Sequence, residues 1–249
     1  MIAFLTSSPN GHYRETDHRS IVPLNPENEF TEKLKKYWRD AANGLLLSAM
    51  PDLKEVNDSM CVSMQETFEV SGFPVGRLDL CDRRDTSPVQ RLYDYDFLIL
   101  GGGHVPTQHA FFEELSLRDA LQKYDGIVIG ISAGTMNSAK VVYAQPEEAG
   151  ESIDPSYRKY LPGLNITDIN ILPHYQAVRN DILDGRRLFE DITYADSYGH
   201  QFYAIVDGSY MLVKNGEQTL YGEAYLISNG QIHQVCKAGE ALPLGHKKA

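Results

Sequence analysis

The feature that most constrains the fold is the run Gly126-Ile-Val-Ile-Gly-Ile-Ser132-Ala-Gly134. Residues 126–130 are all apolar or glycine, as in a strand buried on both faces. The run ends in Gly130-Ile-Ser132-Ala-Gly134, a G-x-S-x-G pattern, and Thr135-Met-Asn-Ser-Ala139 beyond it can start a helix. Strand, sharp turn and helix in that order make a nucleophile elbow, which pushes a serine hydroxyl out of the sheet. The flanking glycines are needed because a strained turn leaves little room for a Cβ. The helix that follows aims free backbone N–H groups at the point where negative charge would develop. Ser132 therefore reads as a nucleophile and the chain as a serine hydrolase.

A strand buried on both faces needs helices on both faces. Apolar strand-like runs do alternate with amphipathic stretches, which argues for a parallel sheet with crossover helices. The expected strands are 2–5, 45–50, 75–80, 97–100, 127–131, 169–172 and 203–206. Phe30, Leu34, Tyr37 and Trp38 share one helical face, and so do Val56, Met60, Met64 and Phe68. Helices are also expected over 110–124 and 177–191. Toward the C-terminus, Tyr210–Gly216 and Tyr225–Gly230 each end in Asn-Gly, the type I′ hairpin signal. These predict antiparallel strands closing the sheet at its end. The reading is one α/β domain spanning 1–249. Two polar loops stand out, 7–25 and 145–163, and the second is expected to act as a lid.

Composition excludes several classes. The 249 residues carry a net charge of −11, which repels phosphate backbones, so nucleic acid is not an expected partner. Cys61, Cys81 and Cys236 are far apart, with no C-x-x-C, and form neither a disulfide framework nor a zinc spacing. They read as buried thiols in a reducing compartment. No run approaches the length of a membrane span, and the N-terminus lacks the basic and long apolar regions of a signal peptide. A cytoplasmic protein without membrane partners is expected.

A serine nucleophile needs a base, and the base needs an orienting group. His12, His18, His200, His233 and His246 sit in polar or terminal contexts, and His104 and His109 follow a glycine turn. His174 instead follows Ile169-Asn-Ile-Leu172-Pro173, at the carboxyl end of an expected strand, where sites in open α/β sheets lie. Asp207 ends Tyr203-Ala-Ile-Val206 in the same way and is preferred to Asp196 or Glu223. Taken singly, each would pass for a loop residue. The order Ser132, His174, Asp207 differs from the Ser…Asp…His order of α/β-hydrolases. A second glycine signal, Gly101-Gly102-Gly103-His104, follows the strand before the elbow strand. Its N–H groups could pair with that of Ala133 in an oxyanion hole. A phosphate loop does not fit, because Pro106 stands where the third glycine of G-x-G-x-x-G would be.

Together, Gly101-Gly-Gly103, Gly130-Ile-Ser-Ala-Gly134, Leu172-Pro-His-Tyr175 and Val206-Asp-Gly-Ser-Tyr210 resemble peptidase family S51, which includes aspartyl dipeptidase and cyanophycinase. The resemblance covers most of the chain. It implies a fold related to class I glutamine amidotransferases and a triad of Ser132, His174 and an acidic residue. The matching acidic position is Asp207, where aspartyl dipeptidase has a glutamate. The glycine loop continues here as His104-Val-Pro-Thr-Gln108 instead of Asn-Thr, beside the expected scissile carbonyl.

The expected function is hydrolysis of short peptides by a Ser-His-Asp triad through an acyl-enzyme. Gly102, Gly103, Ala133 and His104 would line the substrate site. The resemblance further implies an acidic first residue on the substrate. Near a chain of net charge −11 such a residue needs a local cation; Arg179, near the start of the helix expected after the His174 strand, is preferred, with Arg158 and Lys159 as substitutes. No metal or cofactor is implied, and the chain is compatible with a homo-oligomer. Two alternatives stay open: an amidase or esterase of the same fold acting on a non-peptide, and a catalytically silent binding protein.

Overall fold

The computed structural model describes residues 1–11 and 21–247, so His12 and His18 lie outside the described residues. The chain begins with β1 (Ile2–Thr6), α1 (Phe30–Lys35), β2 (Ala42–Leu47), α2 (Lys54–Val70) and β3 (Val75–Cys81). It continues through β4 (Phe97–Leu100), α3 (Val105–Glu114), α4 (Leu117–Leu121), β5 (Ile127–Ile131) and α5 (Ala133–Asn137). Five of these strands pair in parallel in the order β1-β5-β4-β2-β3.

The alternation within each apolar run divides two cores between the sheet's faces. Phe4, Leu46, Phe97, Ile99 and Ile129 enter one core with Phe68 of α2 and Phe30 of α1. Leu5, Leu45, Leu47, Leu98, Leu100 and Val128 enter the other with Phe111 of α3 and Leu117 of α4. Burial on both faces is why these strands read as unbroken apolar runs. Trp38 completes the first core, stacked on Phe68 with ring centroids 5.0 Å apart.

The remaining strands are β6 (Val141–Tyr143), β7 (Tyr160–Pro162), β8 (Asn170–Leu172), β9 (Ile182–Leu183), β10 (Arg186–Arg187), β11 (Gln201–Ile205), β12 (Tyr210–Lys214), β13 (Glu217–Tyr221), β14 (Ala224–Ser228), β15 (Gln231–Cys236) and β16 (Ala241–His246). Both expected Asn-Gly hairpins form, with positive φ at Asn215, Gly216, Asn229 and Gly230. They go to different places. β12 pairs antiparallel with β1, and β13 and β16 extend that edge to make eight strands. β14 and β15 join β11 and β8 in a separate four-stranded sheet. The strands expected at 169–172 and 203–206 therefore lie in this second sheet, because β12 occupies the place beside β1.

Four helical expectations need correction. α1 stops at Lys35, so Tyr37 and Trp38 reach the core from the turn beyond it and not from a helical face. Val56 is 43% exposed, and the neighbouring Asn57 is buried in its stead. The helix expected over 110–124 is two pieces, since Ser116 adopts a left-handed conformation between α3 and α4. The helix expected over 177–191 does not form. Only Tyr175–Val178 is α-helical there (α6); the β9–β10 hairpin follows, and then a π-helical turn at Leu188–Thr193. Asp184 and Gly185 both have positive φ, which suits an Asp-Gly hairpin turn and breaks a helix.

Candidate active site

Ser132 stands at the carboxyl end of β5 with φ 50° and ψ −110°, a strained conformation for a non-glycine residue. The packing around it explains the flanking glycines. A Cβ on Gly134 would lie 2.2 Å from the Leu100 carbonyl oxygen, and one on Gly130 would lie 2.8 Å from Thr135 Oγ1. The elbow is pinned from below by the Ser132 N–H, which reaches the carbonyls of Thr6 and Ser7 at 3.2 Å each. Thr135 Oγ1 also donates to the Thr6 carbonyl at 2.7 Å.

The glycine loop after β4 lies against this turn. A Cβ on Gly102 would sit 3.4 Å from Ser132 Cβ, and one on Gly103 would clash with Ala49 Cβ at 2.8 Å. Among the described residues, the N–H groups of Gly102, Gly103 and Ala133 have no hydrogen-bond acceptor. They are free to receive one from a ligand.

β8 and β11 run side by side, with Leu172 opposite Ala204, and deliver His174 and Asp207 from adjacent strand ends. His174 Nδ1 lies 2.6 Å from Asp207 Oδ1. A carboxylate oxygen accepts, so Nδ1 is the donor in this bond. The Asp207 side chain is wholly buried, while that of His174 is 30% exposed. Two further residues hold this pair, and sequence reasoning missed both. Ser7 Oγ donates to Asp207 Oδ1 at 2.6 Å and accepts the His174 backbone N–H at 2.7 Å. Gln176 Nε2 donates to Asp207 Oδ2 at 2.6 Å, and its Oε1 accepts the Asp207 N–H at 3.1 Å. Ser7 does carry a signal in hindsight, since it follows the carboxyl end of β1.

Ser132 and His174 line one pocket of about 260 Å³ with Gly103 and Val105. One wall is Gln145, Pro146 and Glu147, from the loop expected to be a lid; the other includes Val178, Asp181, Ile182 and Leu183. Glu147 is exposed as a residue, but its Oε1 turns onto the Val105 N–H at 3.0 Å. Burial pushes its carboxyl above the usual range; the Val105 N–H and His104 oppose that rise, while Glu151 and Glu148 add to it.

The other predicted residues lie elsewhere. His104 caps α3 beside the pocket without lining it, its Nε2 2.8 Å from Glu151 and its Nδ1 2.7 Å from Thr107 Oγ1. Arg179 is exposed and outside the pocket lining, as is Arg158. Lys159 pairs with Asp196 at 2.7 Å. Asp196 also accepts from Tyr143, and Glu223 from Tyr225, so neither meets His174. The side chains of His104, Glu148 and Glu151 are close enough to share a cation, but His104 and Glu151 already bond each other. No helix among the described residues is long and apolar enough to cross a membrane.

The profile of peptidase family S51 matches residues 49–221. Among solved structures, the chain is similar to a peptidase from an acI-B1 Actinobacterium, with a TM-score of 0.66 and 15% identity over 98% of this chain and 96% of that one. It is also similar to a peptidase E-type protein from Listeria monocytogenes EGD-e, with a TM-score of 0.54 and 16% identity over 94% of this chain and 97% of that one. At these identities the likeness is one of fold. No curated protein sequence matches the chain.

Proposed function

Since the chain belongs to peptidase family S51, we propose that it is a serine peptidase of short peptides, with Ser132 as nucleophile, His174 as base and Asp207 as the group that orients it. The observation that carries this reading is the 2.6 Å contact between His174 Nδ1 and the buried Asp207, in the pocket that Ser132 lines. The Ser132 hydroxyl attacks the peptide carbonyl while His174 Nε2 takes its proton. The oxygen of the tetrahedral intermediate becomes negative, and the N–H groups of Ala133 and of Gly102 or Gly103 are its donors. His174 then hands the proton to the departing amine, leaving an acyl-enzyme. Water, activated by His174, releases the acid product and restores Ser132. Asp207 stays ionised throughout and stabilises the imidazolium.

The pocket is smaller than the roughly 300–1,000 Å³ typical of drug-sized ligands, which favours short substrates. Preference for an acidic first residue would require a cation, and the pocket has no lysine or arginine among the described residues that line it.

A fluorophosphonate probe should label wild-type protein at Ser132, and Ser132→Ala should remove both labelling and dipeptide hydrolysis. Loss of a triad nucleophile costs on the order of a million-fold in turnover. A folded Ser132→Ala protein with near wild-type turnover overturns the assignment. Labelling together with ester but no peptide hydrolysis would favour the esterase alternative.

A further inference from the structure

We infer that the Ser132 pocket selects a peptide carrying a cationic nitrogen, which Glu147 on one wall and Asp181 on the other would receive; this rests on the peptidase reading above. Both residues line the pocket that Ser132 lines. Asp181, itself exposed, has no ion-pair partner among the described residues, and the exposed Arg179, two positions away, does not line the pocket. Glu147 is held by a backbone N–H and not by a cation. Glu148 and Glu151 lie in the same turn and deepen its negative field, while the Val105 N–H and His104 oppose it.

Both carboxylates are exposed to water and are stable without a partner, but a cleft lined by one sign concentrates ligands of the other. A bound ammonium or guanidinium would match that charge. A substrate carboxylate would add a like charge to a confined space. Apolar surface completes the fit: Val105, Met136 and Leu188 also line the pocket and suit the methylene stem of a lysine or arginine. A cationic nitrogen can come from such a side chain or from the free N-terminus of the peptide.

The test uses the rate at which a neutral fluorophosphonate labels Ser132, because it reads occupancy of the pocket whether or not a peptide is turned over. Lys-Leu, norleucine-Leu and Glu-Leu, the same pairs in reverse order, and their N-acetyl forms are compared as protectants. In at least one order the lysine peptide should protect at a concentration about tenfold lower than its norleucine isostere, as a charge-assisted contact allows. The glutamate peptide should be the weakest. If instead acetylation abolishes protection and lysine equals norleucine, the N-terminal ammonium is the cation recognised. Glu147→Gln keeps an acceptor for the Val105 N–H while removing the charge, and Asp181→Asn removes the other. Each should shrink the advantage of the cation, and labelling of the variants shows that the site is intact. Glutamate peptides that protect as well as norleucine ones overturn the inference, and so does a preference unchanged in both variants. Absence of labelling in the wild type would instead bring down the peptidase reading beneath it.

Discussion

At the scale of single residues, the candidate triad is held by side chains outside the pocket lining. Ser7 uses its one proton on Asp207 and its lone pair on the His174 N–H. Ser7→Ala deletes both bonds without adding bulk, so it should misplace the imidazole. A displacement of about 1 Å can cost about 100-fold. We expect kcat to fall by roughly ten- to a hundredfold with KM little changed, and an unaltered kcat would remove Ser7 from the machinery. Asp207→Asn should cost more, roughly ten-thousand-fold in turnover, because the amide can stabilise the wrong imidazole tautomer. The cysteines offer a separate check. Burial pushes the Cys61 thiol up to about 11 and the Cys81 thiol up to about 12, and Cys236 rises as well. At pH 8 all three stay protonated in the folded protein, and thiolate is the reactive form. Disulfide reagents should therefore react slowly with native protein and with three thiols per chain after unfolding; fast native reaction would contradict this burial.

At the scale of elements, two loops that face each other across the chain are tied at one residue. Asp184, in the turn between β9 and β10, accepts from the Gly150 N–H at 2.8 Å and from Ser152 Oγ at 2.7 Å. Those two bonds, with the Ser152 N–H, keep its carboxyl below the usual carboxylate range. The sign follows. A depressed pKa means that the tie is present above the unfolded value of about 3.9 and is lost as pH falls through the folded one. Both tied segments carry pocket walls, Glu147 on one and Leu183 on the other. Asp184→Ala should leave global stability almost unchanged, raise proteolytic cleavage within 145–159, and lower kcat/KM. Unchanged cleavage in that segment would show that the clasp does not hold the wall.

Across the whole molecule, the far end of the sheet is held by a buried charge. Asp82, 2% exposed just after β3, accepts from Asn57 of α2 and from Arg84, whose guanidinium also holds Asp58. Burial pushes the Asp82 carboxyl up, but the bonds from Arg84 and Asn57 outweigh it and keep it below the ordinary range. Its contribution is thus present above about pH 3.9 and fades as acid protonates the folded form. Asp82→Ala strands the Asn57 amide and one side of Arg84. A loss of about 2–4 kcal/mol is expected, since removing one partner of a buried pair exceeds the net worth of the pair. Urea unfolding at pH 7 measures it, and the gap between wild type and variant should narrow toward pH 3. A gap that is absent at pH 7 would mean that Asp82 is dispensable.

What the sequence determined by itself is what short stretches of chain dictate. The apolar run ending in Gly130-Ile-Ser132-Ala-Gly134 is a buried strand leading into a strained elbow, and crowding at Gly130 and Gly134 leaves no room for a Cβ. The Asn-Gly pairs turn hairpins because their φ values are positive, and His174 and Asp207 stand where strands stop. An Asp-Gly pair inside the stretch 177–191 carried the same turn signal, but the spacing of apolar residues around it imitates a helix. The tertiary structure alone decided which sheet each strand joins, since β1 has one free edge and β12 takes it. It also decided the surroundings of the triad. Ser7 and Asp207 are 200 residues apart, and no local pattern joins them. The charge of the pocket belongs to the same class: Arg179 stands near His174 in sequence yet stays outside the pocket lining, while Glu147 arrives on a distant loop. Periodicity and turn chemistry act over a few residues, whereas a site's electrostatics depends on which remote side chains share one small volume.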